Sequence, residues 1–248
     1  MTFPASQTPR LLDAGDGGLI VEFGNQIDEA TNGAVIALAE QLGAAALKGI
    51  LELVPTYRSL LIQFDPLALS RRDLAAAVSS HWASSRATRR HAKLWHVPVS
   101  YGGESGMDLG FVAATHGLDE AEVIARHAAA TYRIYMIGFA PGFAYLGGLD
   151  PALHTSRRTE PRLKTPPRSI SIGGMQTAVS PPLVIPSGWH MIGRTAIRTY
   201  DPTRKSGSFL FEPGDYLRFH AISAAEYGRQ LVAVEAGDQV SDHEDYRE

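Results

Sequence analysis

The chain has 248 residues, of which 44% are hydrophobic, and a formal net charge of −3 at pH 7. This length suffices for one large domain or two small ones, and the weakly acidic balance argues against nucleic acid or an anionic membrane as the main partner, because both require a concentrated basic surface. The absence of cysteine excludes disulfides, thiolate metal sites and cysteine catalysis.

The first part of the chain predicts a small α+β domain over residues 10–91, after a polar tail, residues 1–9, that we expect to be disordered. Its predicted elements are a strand at 19–24, a helix from the N-cap Asp28 to about Lys48, strands at 50–55 and 59–65, and a helix that Ser70 opens. If residues 93–101 begin with a closing strand, this order is that of a ferredoxin-like sandwich.

A polar and basic stretch at 84–91 marks the expected domain boundary, and residues 92–232 form the second predicted domain. Two short helices, near 108–116 and 119–130, precede a strand at 132–138. After it, short apolar runs alternate with glycine and proline, which is typical of a β-barrel or sandwich. Residues 238–248 are polar and predict a second disordered tail. The chain shows no membrane-spanning run and no secretory signal, so we expect it to be cytoplasmic.

The stretch "MIGFAPGFAYLGGLDP" (136–151) is rich in glycine, proline and aromatic residues. Ala140-Pro141-Gly142 predicts a tight turn, because proline fixes φ and glycine permits positive φ. Phe139, Phe143 and Tyr145 are candidates to line one wall of a ligand pocket. The alternative is a structural turn whose aromatic side chains close one end of a barrel.

Basic residues cluster around three prolines in the second domain, and they are Arg157, Arg158, Arg162, Lys164 and Arg168. Arg194 and Arg204 lie in separate turn-rich segments. A guanidinium group binds carboxylate or phosphate in a bidentate fashion, so an anionic ligand is one interpretation; a solvated basic face is the other.

Two glycine turns bracket Trp189 with the polar side chains Gln176 and Arg194. A buried glutamine amide either recognises a carbonyl or amide of a ligand or ties a loop to a neighbouring strand. The chain has no phosphate-binding glycine motif, nucleophile elbow or histidine spacing typical of a metal site. Residues 112–127 resemble a helix-turn-helix, but the second helix opens with acidic residues that would repel DNA.

The chain resembles the family of the 5-oxoprolinase B subunit, also known as allophanate hydrolase subunit 1 or the sporulation kinase-inhibitor family, with a carboxyltransferase-type domain. The resemblance extends over about residues 12–222. It rests on a few sequence blocks, which are "VPTYRSLLIQFDP" (54–66), "VPVSYGGESGMDL" (97–109), "GFAPGFAYLGGLDP" (138–151), "IGGMQT" (172–177), "SGWHMIGRT" (187–195) and "PGDYLRF" (213–219).

This resemblance implies a cyclophilin-like β-barrel as the second domain. It also implies a protein that works with the A and C subunits of 5-oxoprolinase to open the lactam of 5-oxoproline to glutamate at the expense of ATP. The family resemblance leaves two alternatives, a regulator that inhibits a sensor histidine kinase and a carboxyltransferase component of a urea carboxylase or allophanate pathway.

We expect the substrate pocket to lie in the second domain and to bind a small anionic lactam. The residues predicted to line it are Phe139, Gly142, Phe143, Gln176, Trp189 and Arg194, with Arg158 and Arg162 as anion contacts. No residue is identified as nucleophile or general base, so we expect a partner to supply the catalytic acid or base. The family commonly has glycine where this chain has Arg168, which alters the expected mouth of the pocket.

Overall fold

A computed structural model describes residues 8–84, 92–204, 207–238 and 240–246. The chain divides into two units, Met1–Arg90 and His91–Glu248. The predicted domain boundary at 84–91 and the predicted amino-terminal tail fall largely outside the described residues.

The first unit is a four-stranded antiparallel sheet with two helices. Its elements are β1 Arg10–Asp13, β2 Gly18–Glu22, α1 Glu29–Ala45, β3 Ile50–Pro55, β4 Ser59–Phe64 and α2 Arg71–Ser84. Asp28 caps α1 by accepting a hydrogen bond from the Thr31 N–H, and Ser70 caps α2 by accepting one from the Asp73 N–H. Apolar side chains of both helices, such as Leu38 and Leu74, are fully buried with those of the sheet.

The strand order in this sheet is β1-β2-β4-β3. The strands β2 and β3 flank β4, which is the split β-α-β arrangement predicted from the sequence. The edge strand beside β2 is β1, whereas the segment 93–101 lies in the second unit. The sequence pattern missed β1 because four residues are too short to show alternation.

The second unit is built on a closed barrel with three helices. Its elements are β5 Ala92–Tyr101, α3 Leu109–His116, α4 Glu120–Ala129, β6 Tyr132–Ile137, β7 Ala144–Gly147, β8 Arg162–Thr165, β9 Ser169–Gly173, β10 Gln176–Val179, β11 Ile185–Ser187, β12 His190–Arg194, β13 Tyr216–Ala221, α5 Ala224–Ala236 and β14 Asp242–Tyr246. Seven strands close in the order β12-β9-β10-β7-β6-β13-β5, with β5 pairing back onto β12. This barrel confirms the predicted α+β fold class.

Side chains alternate between the two faces of the barrel strands, as β geometry requires. Ala144 and Leu146 of β7 and Val179 of β10 are fully buried in the barrel core, so Tyr145 and Ala178 face outward. The outward face over β7, β10 and β9 carries a second, smaller apolar cluster. The two-stranded sheet of β8 and β11 contributes Ile185 to that cluster.

Two carboxy-terminal elements differ from the prediction. The helix α5 was not predicted, because it follows a segment with the pattern of short strands. Ser223 and Glu226 nevertheless have the spacing of a helix cap, and Ser223 accepts a hydrogen bond from the Glu226 N–H. Residues 242–246, predicted to be disordered, form β14 against β5. Trp95 of β5 contacts His243 there, and Tyr216 contacts Tyr246, which gives this polar segment apolar support. None of the described helices is long and apolar enough to cross a membrane.

Candidate functional site

Three aromatic side chains lie together on the outward face of the barrel. The ring centroid of Phe143 lies 4.7 Å from that of Tyr145 and 6.2 Å from that of Trp189, and Tyr145 and Trp189 are 5.8 Å apart. We call Phe143, Tyr145 and Trp189 the aromatic cluster. Phe143 and Trp189 are buried, whereas Tyr145 is half-buried. Phe143 and Tyr145, predicted to line one wall of a pocket, are therefore close together, and Trp189, predicted to line the same pocket, packs against them.

The position of Trp189 depends on Gly173 at the end of β9. A Cβ atom at residue 173 would lie only 2.4 Å from Cδ2 of the indole. The ring therefore occupies the space above a strand residue that has no side chain. Gln176 of β10 pairs with Gly173 and, like Ala178, lies on the outward face of the strand, the face that carries Trp189.

Arg157 follows the 3-10 turn Pro151–Leu153 and lies over the aromatic cluster. Its guanidinium lies 5.5 Å from the centre of the Trp189 ring, a cation–π contact. Burial raises the pKa of Tyr145, and the charge of Arg157 acts in the opposite direction without overcoming it, so the phenol stays protonated. Arg157 is exposed and makes no hydrogen bond or ion pair with any residue in the described part of the chain.

The loop at residues 138–142 forms a neighbouring depression of about 270 Å³, lined by Ile137, Phe139, Pro141, Gly142 and Phe209 among others. Gly142 has φ of 79°, and a Cβ there would lie 2.7 Å from Cβ of Tyr200, so only glycine fits. Phe139 also has positive φ, 68°, and is 65% exposed. A bulky residue rarely adopts this conformation, so its exposed ring is held at an energetic cost.

Arg158 and Arg162, predicted to contact a substrate anion, are both paired with Asp108 inside the protein. Arg162 donates two hydrogen bonds of 2.7 Å to the Asp108 carboxylate, and Arg158 lies 3.4 Å from it. The Met191 N–H donates to the same carboxylate at 2.8 Å. Burial raises the pKa of Asp108, but these hydrogen bonds and charges outweigh it and hold the pKa below its usual value. A ligand anion would have to displace Asp108.

Arg194 is not brought to the aromatic cluster. It ends β12, roughly 15 Å along the strand from Trp189 at about 3.3 Å per residue. Its Nε donates to the carbonyl oxygen of Pro167 at 3.2 Å, and its guanidinium stacks over Tyr227 of α5. The structure thus separates the predicted site into the aromatic cluster with Gln176, the depression with Phe139 and Gly142, and arginines that lie elsewhere.

Arg157 is the residue that the sequence did not distinguish. It stands next to Arg158 in the same proline-rich stretch, and nothing in residue type separates the two. Only the fold shows that Arg158 meets a buried carboxylate while Arg157 meets an indole. Across the described residues, no group of three or more histidine, aspartate or glutamate side chains is placed to hold a metal ion.

The arrangement suits a small planar ligand with one negative charge. The aromatic cluster offers apolar contact, Arg157 offers a fork of donors for a carboxylate, and Gln176 offers an amide that both donates and accepts hydrogen bonds. The three side chains of the aromatic cluster include no nucleophile, because the Tyr145 phenol stays protonated.

Known proteins are similar to this chain over most of its length. A family model described as carboxyltransferase domain, subdomain C and D, matches residues 9–210. The B subunit of 5-oxoprolinase from Escherichia coli O157:H7 is 36% identical over 214 residues, which are 86% of this chain and 96% of that protein.

Two solved structures share the fold. The crystal structure of TTHA0988 is 35% identical with a TM-score of 0.75, and the match covers 84% of this chain but only 40% of that one. The Kluyveromyces lactis urea carboxylase has a TM-score of 0.78 at 19% identity, with 99% of this chain and 25% of that protein covered. This chain therefore corresponds to one part of each of these longer proteins. The sequence matches show that it belongs to the family of the 5-oxoprolinase B subunit, within the carboxyltransferase-domain proteins of subdomains C and D.

Proposed function

We propose that this chain is the ligand-orienting subunit of an ATP-dependent amidohydrolase that opens 5-oxoproline to glutamate, together with homologues of the A and C subunits of 5-oxoprolinase. The observation that carries the proposal is Arg157, an arginine without an ion-pair partner among the described residues, lying over Trp189. The names of the relatives supply the reaction.

5-Oxoproline is a small, nearly flat lactam with one carboxylate. In this proposal its ring lies against the aromatic cluster, its carboxylate pairs with Arg157, and its lactam amide hydrogen-bonds the Gln176 side chain. Arginine and an aromatic wall in a partly desolvated site provide both charge recognition and shape selection.

The proposed reaction consumes ATP and water. Transfer of the γ-phosphoryl group to the lactam oxygen activates the ring carbon, and a first water adds to that carbon. The ring C–N bond then breaks as the nitrogen takes up a proton, which leaves an acyl phosphate, and a second water hydrolyses it to the carboxylate of glutamate and inorganic phosphate. Positioning and charge neutralisation dominate such transfers. This chain supplies positioning, and a partner protein supplies the acid or base and the nucleotide site.

The test is 5-oxoproline-dependent release of phosphate from ATP, measured for the purified chain alone and after mixing with candidate A and C subunits. We expect turnover only in the mixture. A mixture that assembles but shows no turnover would remove 5-oxoproline as the substrate.

Arg157→Ala should raise the KM for 5-oxoproline by roughly 10- to 100-fold, because a charge-assisted hydrogen-bonded pair contributes about 1.5–3 kcal/mol to binding. Arg157→Lys keeps the charge but loses the fork, so its KM should lie between those of the wild type and the alanine variant. Assembly, measured by size-exclusion chromatography, should be unchanged in both. An unaltered KM in Arg157→Ala would show that the carboxylate binds elsewhere.

A further inference from the structure

Three arginines meet one helix at a place distant from the aromatic cluster. Arg168 and Arg198 each donate to a different oxygen of the Glu235 carboxylate, near the end of α5. Arg194 pairs with Ser169, the residue after Arg168, and its side chain is held by the Pro167 carbonyl and stacks over Tyr227 of the same helix. We call Arg168, Arg194 and Arg198 the arginine triplet.

Positive charge exceeds negative charge at the arginine triplet. Glu235 is the carboxylate that two of the arginines share. Asp201 lies 4.0 Å from Arg198 but is closer to Arg204, at 3.7 Å. Arg168 is the buried member of the cluster, and it shares its carboxylate with Arg198 although buried charges in proteins are normally fully paired.

The hydrogen-bonding capacity of the cluster is also incompletely used. The Nε atoms of Arg168 and Arg198 and the hydroxyl oxygen of Tyr227 are buried and have no hydrogen-bond partner within the described ranges of the chain. The Arg168 side chain is only 8% exposed. Three polar groups therefore lack partners around one helix face.

The backbone holds Arg168 in place at a cost. Its φ is 61°, a conformation that suits glycine, and two hydrogen bonds fix it: the Arg168 N–H donates to the Pro181 carbonyl, and its carbonyl accepts from the Thr195 N–H. A residue with a long side chain in this strained conformation is common at functional sites, where the surroundings enforce it.

We propose that the arginine triplet is a second binding site, for a small oxyanion such as a carboxylate or phosphate. The anion would displace the half-exposed Glu235 carboxylate, accept from the guanidinium groups of Arg168 and Arg198, and neutralise the excess charge. Glu235 is 53% exposed and Arg198 is 30% exposed, so the cluster opens to solvent on the side of these two residues. Glu235 would then compete with the ligand for the same guanidinium groups.

The test measures thermal unfolding of the full chain against increasing acetate or inorganic phosphate, with chloride at matched ionic strength as the reference. We expect a saturating rise in Tm with one of the two anions, because a ligand that binds only the folded state stabilises it by mass action. The anion that saturates identifies whether planar or tetrahedral oxyanions are preferred.

Two substitutions give opposite expected results. Arg168→Gly suits the positive φ and should fold, yet it should lose the saturating shift. Glu235→Gln removes the competing charge and should saturate at an at least roughly fivefold lower anion concentration, since a lost charge-assisted contact is worth about 1 kcal/mol or more. Arg229→Ala, which removes an exposed arginine of the same helix that pairs with Glu226, should keep the wild-type response.

No saturating shift with either anion, or an equal shift in the wild type and Arg168→Gly, would overturn the proposal. An unchanged saturation concentration in Glu235→Gln would equally overturn the assignment of the anion to this cluster.

Discussion

His127 of α4 lies fully buried in the barrel unit, with both of its ring nitrogens hydrogen-bonded. The Thr177 hydroxyl donates to the Ser171 carbonyl, so its oxygen accepts from His127 Nε2–H at 3.1 Å. His127 Nδ1 must then accept from the Tyr101 hydroxyl at 2.8 Å. The imidazole is therefore neutral, and burial lowers the pKa of His127 to about 3. This network stabilises the interior and offers a ligand no access.

The buried histidine predicts acid sensitivity. The pKa of an unfolded histidine is about 6.5, so below that pH the unfolded chain binds a proton that the folded chain does not bind. The contribution of His127 to the free energy of unfolding is therefore complete above pH 6.5 and is lost as the pH falls toward about 3. Between pH 7 and pH 5 this residue should lower the free energy of unfolding by about 2 kcal/mol. Urea denaturation at the two pH values measures the loss.

His127→Gln should remove most of that pH dependence while lowering stability at pH 7. A smaller dependence should remain, because burial also lowers the pKa of His220. The matched control His154→Gln changes a half-buried histidine of the same unit and should keep the wild-type slope. If His127→Gln lost as much stability between pH 7 and pH 5 as the wild type, another residue would be responsible for the pH dependence of the free energy of unfolding.

At the scale of elements, the hairpin of β9 and β10 determines where the aromatic cluster forms. Its outward face presents Gly173 and Ala178, residues small enough to admit the Trp189 and Phe143 rings. The sequence predicted strands and turns here from the glycine and proline spacing. It could not predict which glycine lies beneath the indole, because that contact depends on how the folded strands pack.

Gly173→Ala should displace the indole, since the added methyl group would lie 2.4 Å from it. We expect a loss of about 1–3 kcal/mol in stability from overpacking, together with weaker 5-oxoproline binding. Urea denaturation measures the change in stability, and tryptophan fluorescence during titration with 5-oxoproline measures the change in binding. Gly228→Ala, in α5 where a Cβ meets no atom within 4 Å, should instead leave the cluster intact and stabilise the helix by about 0.5–1 kcal/mol. Equal stability of the two variants would contradict this account of the Trp189 position.

Across the whole molecule, the sequence predicted the kinds of domain and most elements better than the site. Caps, apolar alternation and the family resemblance indicated two units and a barrel. The strands β1 and β14 were not predicted because they are short, and the helix α5 was not predicted because the sequence around it has the pattern of short strands. For the site, the aromatic residues predicted to line a pocket, Phe139, Phe143, Tyr145 and Trp189, lie close together in the fold, and their role in binding stays a prediction. The arginines could not be sorted, because Arg157, Arg158 and Arg162 differ only in what the folded chain places opposite them.

Asp108 is what distinguishes these arginines from one another, because it joins three distant segments of the barrel unit. It precedes α3 and binds Arg158 and Arg162 from the proline-rich stretch and the Met191 N–H of β12. These contacts bridge 50 to 83 positions of the chain. Because the carboxylate fixes Arg158, the residue that follows Arg157, we expect it also to help hold Arg157 over Trp189. Under the proposed function, the stability of this unit and the orientation of the ligand would both depend on this one buried side chain.

Asp108→Asn keeps the size of the side chain but removes its charge and places an amide donor against a guanidinium. Breaking a buried ion pair in this way should cost about 3–5 kcal/mol in the free energy of unfolding. Glu122→Gln, which breaks the exposed pair with Arg126, should cost under about 0.5 kcal/mol. In the assembled complex, Asp108→Asn should also raise the KM for 5-oxoproline, since Arg157 loses its support. A variant as stable as the wild type, or one destabilised with an unchanged KM, would show that Asp108 does not position Arg157.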